Sequence, residues 1–134
     1  MARKVLFLDV DDVLNRYPEQ RGQLDPELRD RYLNWIKDKP IDVILCSDWR
    51  RNPGAKDTLR AEGITWVGQT IVSVEMRGTQ VERYVLENNI KEYAILDDGS
   101  DFHYWQKPRH VQPMDGLQDH HLEQLDKILK LGVR

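Results

Sequence analysis

The chain has 134 residues, of which 32% are charged and 40% hydrophobic, and its formal net charge is −3. This length is typical of one domain and is sufficient for a hydrophobic core without disulfides or metal ions as staples. The four Trp and five Tyr exclude a disordered polar tail, and the net acidity excludes the overall basic footprint of a nucleic-acid binder. No run approaches the ~18 apolar residues of a membrane helix, and the N-terminus lacks a signal-peptide core. We therefore expect a single cytoplasmic domain over residues 1–134.

The hydrophobic pattern alternates between strands and helices along the chain. Short runs of branched apolar residues predict strands at 5–8, 41–46, 65–67, 92–96 and 110–112. Apolar residues three and four positions apart predict helices that begin after Asp25 and Asn52, a third helix over 77–88, and a fourth striped by Leu122, Leu125, Ile128 and Leu129. Apolar strands alternating with amphipathic helices are typical of a parallel sheet covered on both faces. The sequence thus predicts an α/β fold with a three-layer, Rossmann-like parallel sheet of about five strands.

Polar side chains follow three of the predicted strands at the point where each strand ends. In chain order these are Asp9, Asp11 and Asp12, then Ser47 and Asp48, then Asp97, Asp98 and Asp101. Because the carboxyl ends of parallel strands meet at one edge of a sheet, we expect these side chains to lie close together. Clustered carboxylates repel one another unless a cation lies among them, and Mg²⁺ binds carboxylates together with substrate phosphate.

The Asp-x-Asp spacing after the first strand suits phosphoryl transfer. Asp9 could attack phosphorus and form an aspartyl-phosphate. Asp11 could protonate the leaving oxygen and later activate water. A single Asp after a strand is commonly only a cap or turn residue. Two acid clusters at one sheet edge favour a binding site instead.

The ordered set of motifs resembles the haloacid dehalogenase (HAD) superfamily of phosphotransferases. The first motif is the strand 5–8 followed by Asp9-Val-Asp11, the second is the strand ending in Ser47, and the fourth is the strand ending in Asp97-Asp98. The runs 47–50, 77–85 and 95–101 and the tail from Val111 are similar to small, capless HAD-domain proteins found in bacteria and their phages. The resemblance covers nearly the whole chain.

The resemblance implies a role for each matching residue. Asp9 would be the nucleophile and a ligand of Mg²⁺, and Asp11 the general acid and base, with its backbone carbonyl on the metal. Ser47 would hold a phosphoryl oxygen. Asp98 would be the other metal carboxylate, with Asp97 beside it and Asp101 next to the ligands. The Lys of the family's third motif is missing, so we expect Arg77 to replace it, with Lys91 as the alternative.

A capless HAD domain leaves its site open and is expected to act on a large substrate. We expect polynucleotide phosphate ends, especially 3′-phosphates, or nucleotides, and no membrane partner. Ser47, Asp48 and Arg50 are the expected substrate contacts. Phosphate affinity favours Arg, and Trp can stack on a base. Further rim candidates are Arg16, Arg21, Trp49 and Arg51.

Two other functions fit parts of the pattern. A receiver-like phosphoacceptor domain has about this length, acids after its first strand and Mg²⁺. It would need its phosphorylated Asp on a central strand end, where this chain has Ser47, and a Lys after its last strand, whereas Lys107 precedes it. A degenerate HAD domain used only for binding would explain the loss of the third-motif Lys.

Overall fold

The computed structural model describes residues 3–131 and has a five-stranded sheet in which all neighbouring strands are parallel. The strand order across the sheet is β3-β2-β1-β4-β5. The strands are β1 Lys4–Leu8, β2 Ile41–Leu45, β3 Gly68–Gln69, β4 Tyr93–Leu96 and β5 His110–Val111. The predicted α/β class and five-stranded parallel sheet are confirmed. β1 lies at the centre, with β2 and β4 on either side.

Four helices cover the two faces of the sheet. They are α1 Pro26–Ile36, α2 Pro53–Ala61, α3 Arg77–Glu87 and α4 Asp119–Ile128. Leu6 and Leu8 of β1 pack in one core cluster with residues of α1, α2 and α4, whereas Val5 and Phe7 pack in a second cluster with α3. This alternation follows from the two-residue period of a strand and produces the predicted three layers. No helix of the described residues is long and apolar enough to cross a membrane.

The connections between these elements contain no cap domain in the described part of the chain. Residues 9–25 form turns, and a short 3-10 turn at Asp48–Arg51 follows β2. A second 3-10 turn at Tyr104–Arg109 precedes β5. Neither 3-10 turn is visible in the hydrophobic pattern, since each is too short to repeat a periodicity. The carboxyl edge of the sheet is therefore not covered by an inserted domain.

The third strand lies further along the chain than predicted. The apolar run 65–67 predicts a strand there, but the ladder to β2 forms at Gly68 and Gln69. The ring of Trp66 instead packs under the guanidinium of Arg60, and Val67 is 73% exposed at the sheet's edge. A Cβ at Gly68 would lie 2.5 Å from the hydroxyl of Tyr84, so a larger residue here would have to displace the end of that side chain.

Asp25 fixes both the start of α1 and the turn that leads to it. Its Oδ1 accepts hydrogen bonds from the backbone N–H of Glu27 and Leu28, and its Oδ2 accepts from Arg16 and Gln20. Burial alone would raise the pKa of this carboxyl, but these hydrogen bonds and the charge of Arg16 lower it below the ordinary value.

Replacing Asp25 with Asn should therefore have a pH-dependent cost. Asn still caps the helix but loses the charge, so we expect the free energy of unfolding to fall by about 1 kcal/mol at pH 7. A lowered pKa in the folded state means that the contribution is present above the ordinary pKa near 3.8 and disappears as the pH falls below it. Urea unfolding of both proteins across this range measures the difference. A difference that stays constant down to pH 2 would contradict this account.

Candidate active site

Three carboxylates meet at the carboxyl edge of the two central strands. Asp9 directly follows β1, and Asp97 and Asp98 directly follow β4. The two strands pair in parallel with Leu8 opposite Leu96, which brings the next residues of both strands together. One carboxylate oxygen from each of the three residues lies within 4.8 Å of the others. Asp9 and Asp97 are almost completely buried, and Asp98 is half-buried.

Arg77 provides the positive charge in this cluster. It is the first residue of α3, and its Nη1 lies 2.8 Å from Oδ2 of Asp97 and 3.3 Å from Oδ1 of Asp9. Its Nη2 lies 3.2 Å from Oδ1 of Asp48. Asp101 accepts a hydrogen bond from the backbone N–H of Arg77, so it caps α3. The structure thus gives Asp101 a helix-capping contact, and Oδ1 of Asp101 and Oδ1 of Asp97 lie 3.1 Å and 3.0 Å from the position that a Cβ would take at Gly99.

Lys91 does not reach the cluster. It precedes β4, whereas the aspartates follow that strand, so the whole length of β4 separates the two positions. Lys91 lies with Arg3 and Val5 around a pocket at the amino edge of the sheet. Of the two candidates for the missing third-motif Lys, only Arg77 is placed where its charge can act on the aspartates.

The electrostatics of the cluster favour a divalent cation. Burial raises the pKa of Asp9 well above its ordinary value, and the charge of Asp97 raises it further, while Arg77 opposes both. The pKa of Asp98 is also raised, chiefly by burial. Three carboxylates face one guanidinium, so two negative charges remain when all three are ionised. Hard carboxylate oxygens at this spacing are the donor set that Mg²⁺ prefers.

Asp11 lies apart from the carboxylate cluster and is oriented by two donors. Its Oδ1 accepts hydrogen bonds from Nε1 of Trp49 at 3.1 Å and from Nδ2 of Asn15 at 3.0 Å. In the described chain no hydrogen bond reaches the backbone carbonyl of Asp11, so this oxygen is available. The next residue, Asp12, has φ of 60°, a left-handed conformation that Asp tolerates better than most residues.

Asn15 is a site residue that the sequence analysis did not single out. It is fully buried, and besides holding Asp11 it accepts a hydrogen bond from the backbone N–H of Asp12 and donates to the carbonyl of Gln23. It thereby holds the turn that carries both acids. The sequence signal that could have identified Asn15 is its position as a polar residue directly after the apolar pair Val13-Leu14.

Ser47 and Asp48 lie at the end of β2, beside the cluster. Ser47 is buried, and its Oγ accepts a hydrogen bond from the backbone N–H of Trp49. The hydroxyl proton therefore remains available for an oxygen of a substrate. Asp48 is exposed and pairs with Arg77.

Arg50 does not line the substrate site as expected. It is only 3% exposed, and its five N–H donors are all used. At 2.8–3.1 Å they bond the backbone carbonyls of Cys46, Ser47, Thr70 and Ile71 and the side-chain oxygen of Gln80. Arg50 thus joins the end of β2 to the segment before α3, and no donor is left for a phosphate. The carbonyls of Cys46 and Ser47 lie close to Arg50 in the chain, whereas the acceptors of Thr70, Ile71 and Gln80 come from a distant segment. Hydrophobic periodicity does not reveal these long-range partners.

The other rim candidates divide into two groups. Trp49 is 7% exposed and packs in the core with its indole N–H bound to Asp11, so little of its ring is open to a base. Arg16 is bound to Asp25. Arg21 and Arg51 are exposed, and no acceptor within residues 3–131 bonds either guanidinium. Only these last two keep the free cation that the sequence analysis expected at the rim.

The arrangement defines the protein's class and its family. A parallel α/β sheet with aspartates after β1 and β4, a serine after β2 and a cation at the start of α3 is the constellation of a HAD domain. Residues 5–122 match the family described as the HAD domain in Swiss Army Knife RNA repair proteins, and the chain belongs to this family. The expected resemblance to small HAD-domain proteins is confirmed. Comparisons with curated proteins and with solved structures gave no match. Membership supports a HAD-type phosphoesterase at a coarse level, and HAD domains typically use Mg²⁺.

The role of Arg50 can be tested by stability measurements. Arg50→Gln removes most donors from five buried acceptors, so we expect the free energy of unfolding to fall by about 3 kcal/mol or more. The neighbouring exposed residue offers a matched control, because Arg51→Gln removes the same charge without a bonded partner and should stay within about 0.5 kcal/mol. Urea unfolding compares the two variants. Equal stability of both would instead fit a solvent-facing Arg50.

Proposed function

We propose that the protein is a Mg²⁺-dependent phosphatase that transfers the phosphoryl group of its substrate first to Asp9 and then to water. The observation that carries this proposal is the cluster of Asp9, Asp97 and Asp98, two of which contact Arg77, at the open carboxyl edge of a HAD domain. A structural cap or turn would not need two buried carboxylates and a half-buried third within a few ångströms of each other.

The metal would be held by Asp9, by Asp98 and by the free backbone carbonyl of Asp11. Asp97 contributes charge, but its Oδ2 is bound to Arg77 and its Oδ1 accepts from the backbone N–H of Gly99. When bound, Mg²⁺ neutralises the charge that would otherwise repel the attack of a carboxylate on a phosphate.

The proposed hydrolysis has two steps, the transfer of the phosphoryl group to Asp9 and the hydrolysis of the aspartyl-phosphate. A carboxylate oxygen of Asp9 attacks phosphorus, the bond to the leaving oxygen breaks, and Asp11 gives its proton to that oxygen. Asp11, now a carboxylate, takes a proton from a water molecule whose oxygen attacks the aspartyl-phosphate. The bond between phosphorus and Asp9 breaks, inorganic phosphate leaves, and both acids return to their starting states.

Ser47 and Arg77 position the phosphoryl group. The hydroxyl of Ser47 donates to a phosphoryl oxygen from the end of the neighbouring strand β2. Arg77 holds Asp9 and Asp97 and offers its positive charge to the oxygens that gain charge during transfer. Asp48 pairs with Nη2 of Arg77 and so helps to hold the guanidinium in this position.

The preferred substrate is a polynucleotide phosphate end, in particular a 3′-phosphate. Three observations support it: the described connections contain no cap, the family description refers to RNA repair proteins, and exposed arginines remain at the rim. A nucleotide or another small phosphoester is the second choice within the same chemistry.

The nucleophile is tested by Asp9→Asn. The wild type should hydrolyse a generic aryl phosphate and a 3′-phosphorylated oligonucleotide only when Mg²⁺ is present, and Asp9→Asn should lose at least about 1,000-fold in kcat, since the amide cannot attack phosphorus. Phosphate release with and without EDTA measures both dependences. Full activity of Asp9→Asn would exclude this nucleophile. A stable phosphoprotein without turnover would favour the receiver-like function, and metal binding without any turnover would favour a binding-only HAD domain.

A separate prediction concerns Arg77. Arg77→Lys keeps the charge but cannot bridge Asp9, Asp97 and Asp48 with a planar fork. We expect kcat to fall by about 10- to 100-fold, and Arg77→Gln to cost about 100- to 1,000-fold because the charge is lost as well. Steady-state hydrolysis of the same aryl phosphate gives the values, with Lys91→Gln as the control that should match the wild type. A Lys91→Gln variant as impaired as Arg77→Gln would overturn the assignment.

A further inference from the structure

A cleft with a volume of about 680 Å³ opens beside Asp11, outside the buried aspartate cluster. Its lining includes Asp11, Tyr17, Arg21, Trp49, Asn52 and Thr58. This volume lies within the range of about 300–1,000 Å³ in which proteins bind small organic ligands. Neither Asp9 nor Asp97 lines it, so the cleft adjoins the general acid and not the nucleophile.

This position gives the cleft a place in the reaction. In phosphoryl transfer the attacking and leaving oxygens lie roughly in line on opposite sides of phosphorus. With Asp9 on one side, the leaving oxygen lies on the other side, where Asp11 protonates it. The group attached to that oxygen must then occupy the space next to Asp11, which is the cleft.

The charges of the lining indicate what the leaving group carries. The two acids of the lining are already bound, Asp11 by Trp49 and Asp48 by Arg77. Arg21 is exposed, and within the described residues its guanidinium bonds no acceptor. The lining therefore presents one free cation, together with the aromatic ring of Tyr17, which is 39% exposed.

We propose that this cleft binds the terminal nucleoside of a single-stranded polynucleotide, with Tyr17 stacking on its base and Arg21 pairing with the next phosphodiester. The inference rests on the proposed function and specifies its leaving group. A phosphodiester one nucleotide away is a fixed feature of a polynucleotide end, and aromatic stacking tolerates any base. A phosphoserine or phosphothreonine peptide has no second anion at a fixed distance and no flat ring system next to its phosphate.

Binding measurements can test the cleft without turnover. The probe is a short RNA with a 5′-fluorescein and a 3′-phosphate, and the protein is Asp9→Asn, which keeps the probe intact. Adding Arg21→Gln should weaken binding about tenfold and reduce the slope of log Kd against log salt by about 0.7, because one phosphate contact in a single strand is lost. Lys91→Gln, which removes one charge at the opposite edge of the sheet, should change neither value. Equal effects of Arg21→Gln and Lys91→Gln would overturn the proposal.

The stacking contact has its own test. Tyr17→Ala should weaken binding of the same probe about tenfold, whereas Tyr17→Phe, which keeps the ring, should bind like the parent protein. With a probe whose phosphate-bearing terminal residue is abasic, Tyr17→Ala should bind as well as Tyr17→Phe. An undiminished effect of Tyr17→Ala on the abasic probe would exclude stacking. A phosphoserine peptide that binds more tightly than the RNA would assign the cleft to a phosphoprotein instead.

The two proposals fail in different ways. If Arg21→Gln has no effect on RNA binding while hydrolysis still depends on Asp9 and Mg²⁺, the cleft assignment is wrong and the phosphatase stands. If the wild type hydrolyses no phosphoester while Arg21 and Tyr17 still determine RNA binding, the cleft assignment stands and the catalytic proposal is wrong.

Discussion

The parallel pairing of β1 with β4 is the constraint on which the site depends. With Leu8 opposite Leu96, the chain leaves both strands at the same level, and Asp9 meets Asp97 and Asp98. A shift of one residue in this register would turn every side chain of one strand to the other face of the sheet, and the two core clusters would no longer form. The packing that stabilises the sheet therefore also sets the positions of the carboxylates.

Bringing three carboxylates together is unfavourable, and the surrounding structure offsets part of this cost. Arg77 reaches the cluster from the first turn of α3, where Asp101 holds its backbone. Arg50 stabilises the neighbouring strand end, because it joins the end of β2 to the carbonyls of Thr70 and Ile71. The remaining negative charge suits a divalent cation, so the same imbalance that destabilises the isolated cluster would provide the affinity for Mg²⁺.

The two acids of the first motif have different surroundings, and this separates their proposed roles. Asp9 is buried among charges, whereas Asp11 is half-buried and held only by neutral donors, Asn15 and Trp49. Asp11 also borders the open cleft, whereas Asp9 does not. A buried carboxylate that attacks phosphorus and an accessible one that exchanges protons with the leaving group and with water are the two functions that this asymmetry supports.

The sequence by itself determined the parallel α/β fold and the strand-end aspartates, and it left Arg77 and Lys91 as alternatives for the missing third-motif Lys. Apolar strands and amphipathic helices produce only a few architectures, and in a parallel sheet strand ends share one edge, so local patterns were sufficient. The tertiary structure decided which arginines remain free. Arg50 and Arg21 look alike in the sequence, yet Arg50 is enclosed by carbonyls contributed from residues 46–47 and 70–71, while Arg21 remains at the cleft. The tertiary structure also placed β3 at Gly68–Gln69, where the hydroxyl of Tyr84 packs closely against the glycine. Such outcomes depend on contacts between distant segments, and hydrophobic periodicity carries no information about which carbonyls or rings those segments bring together.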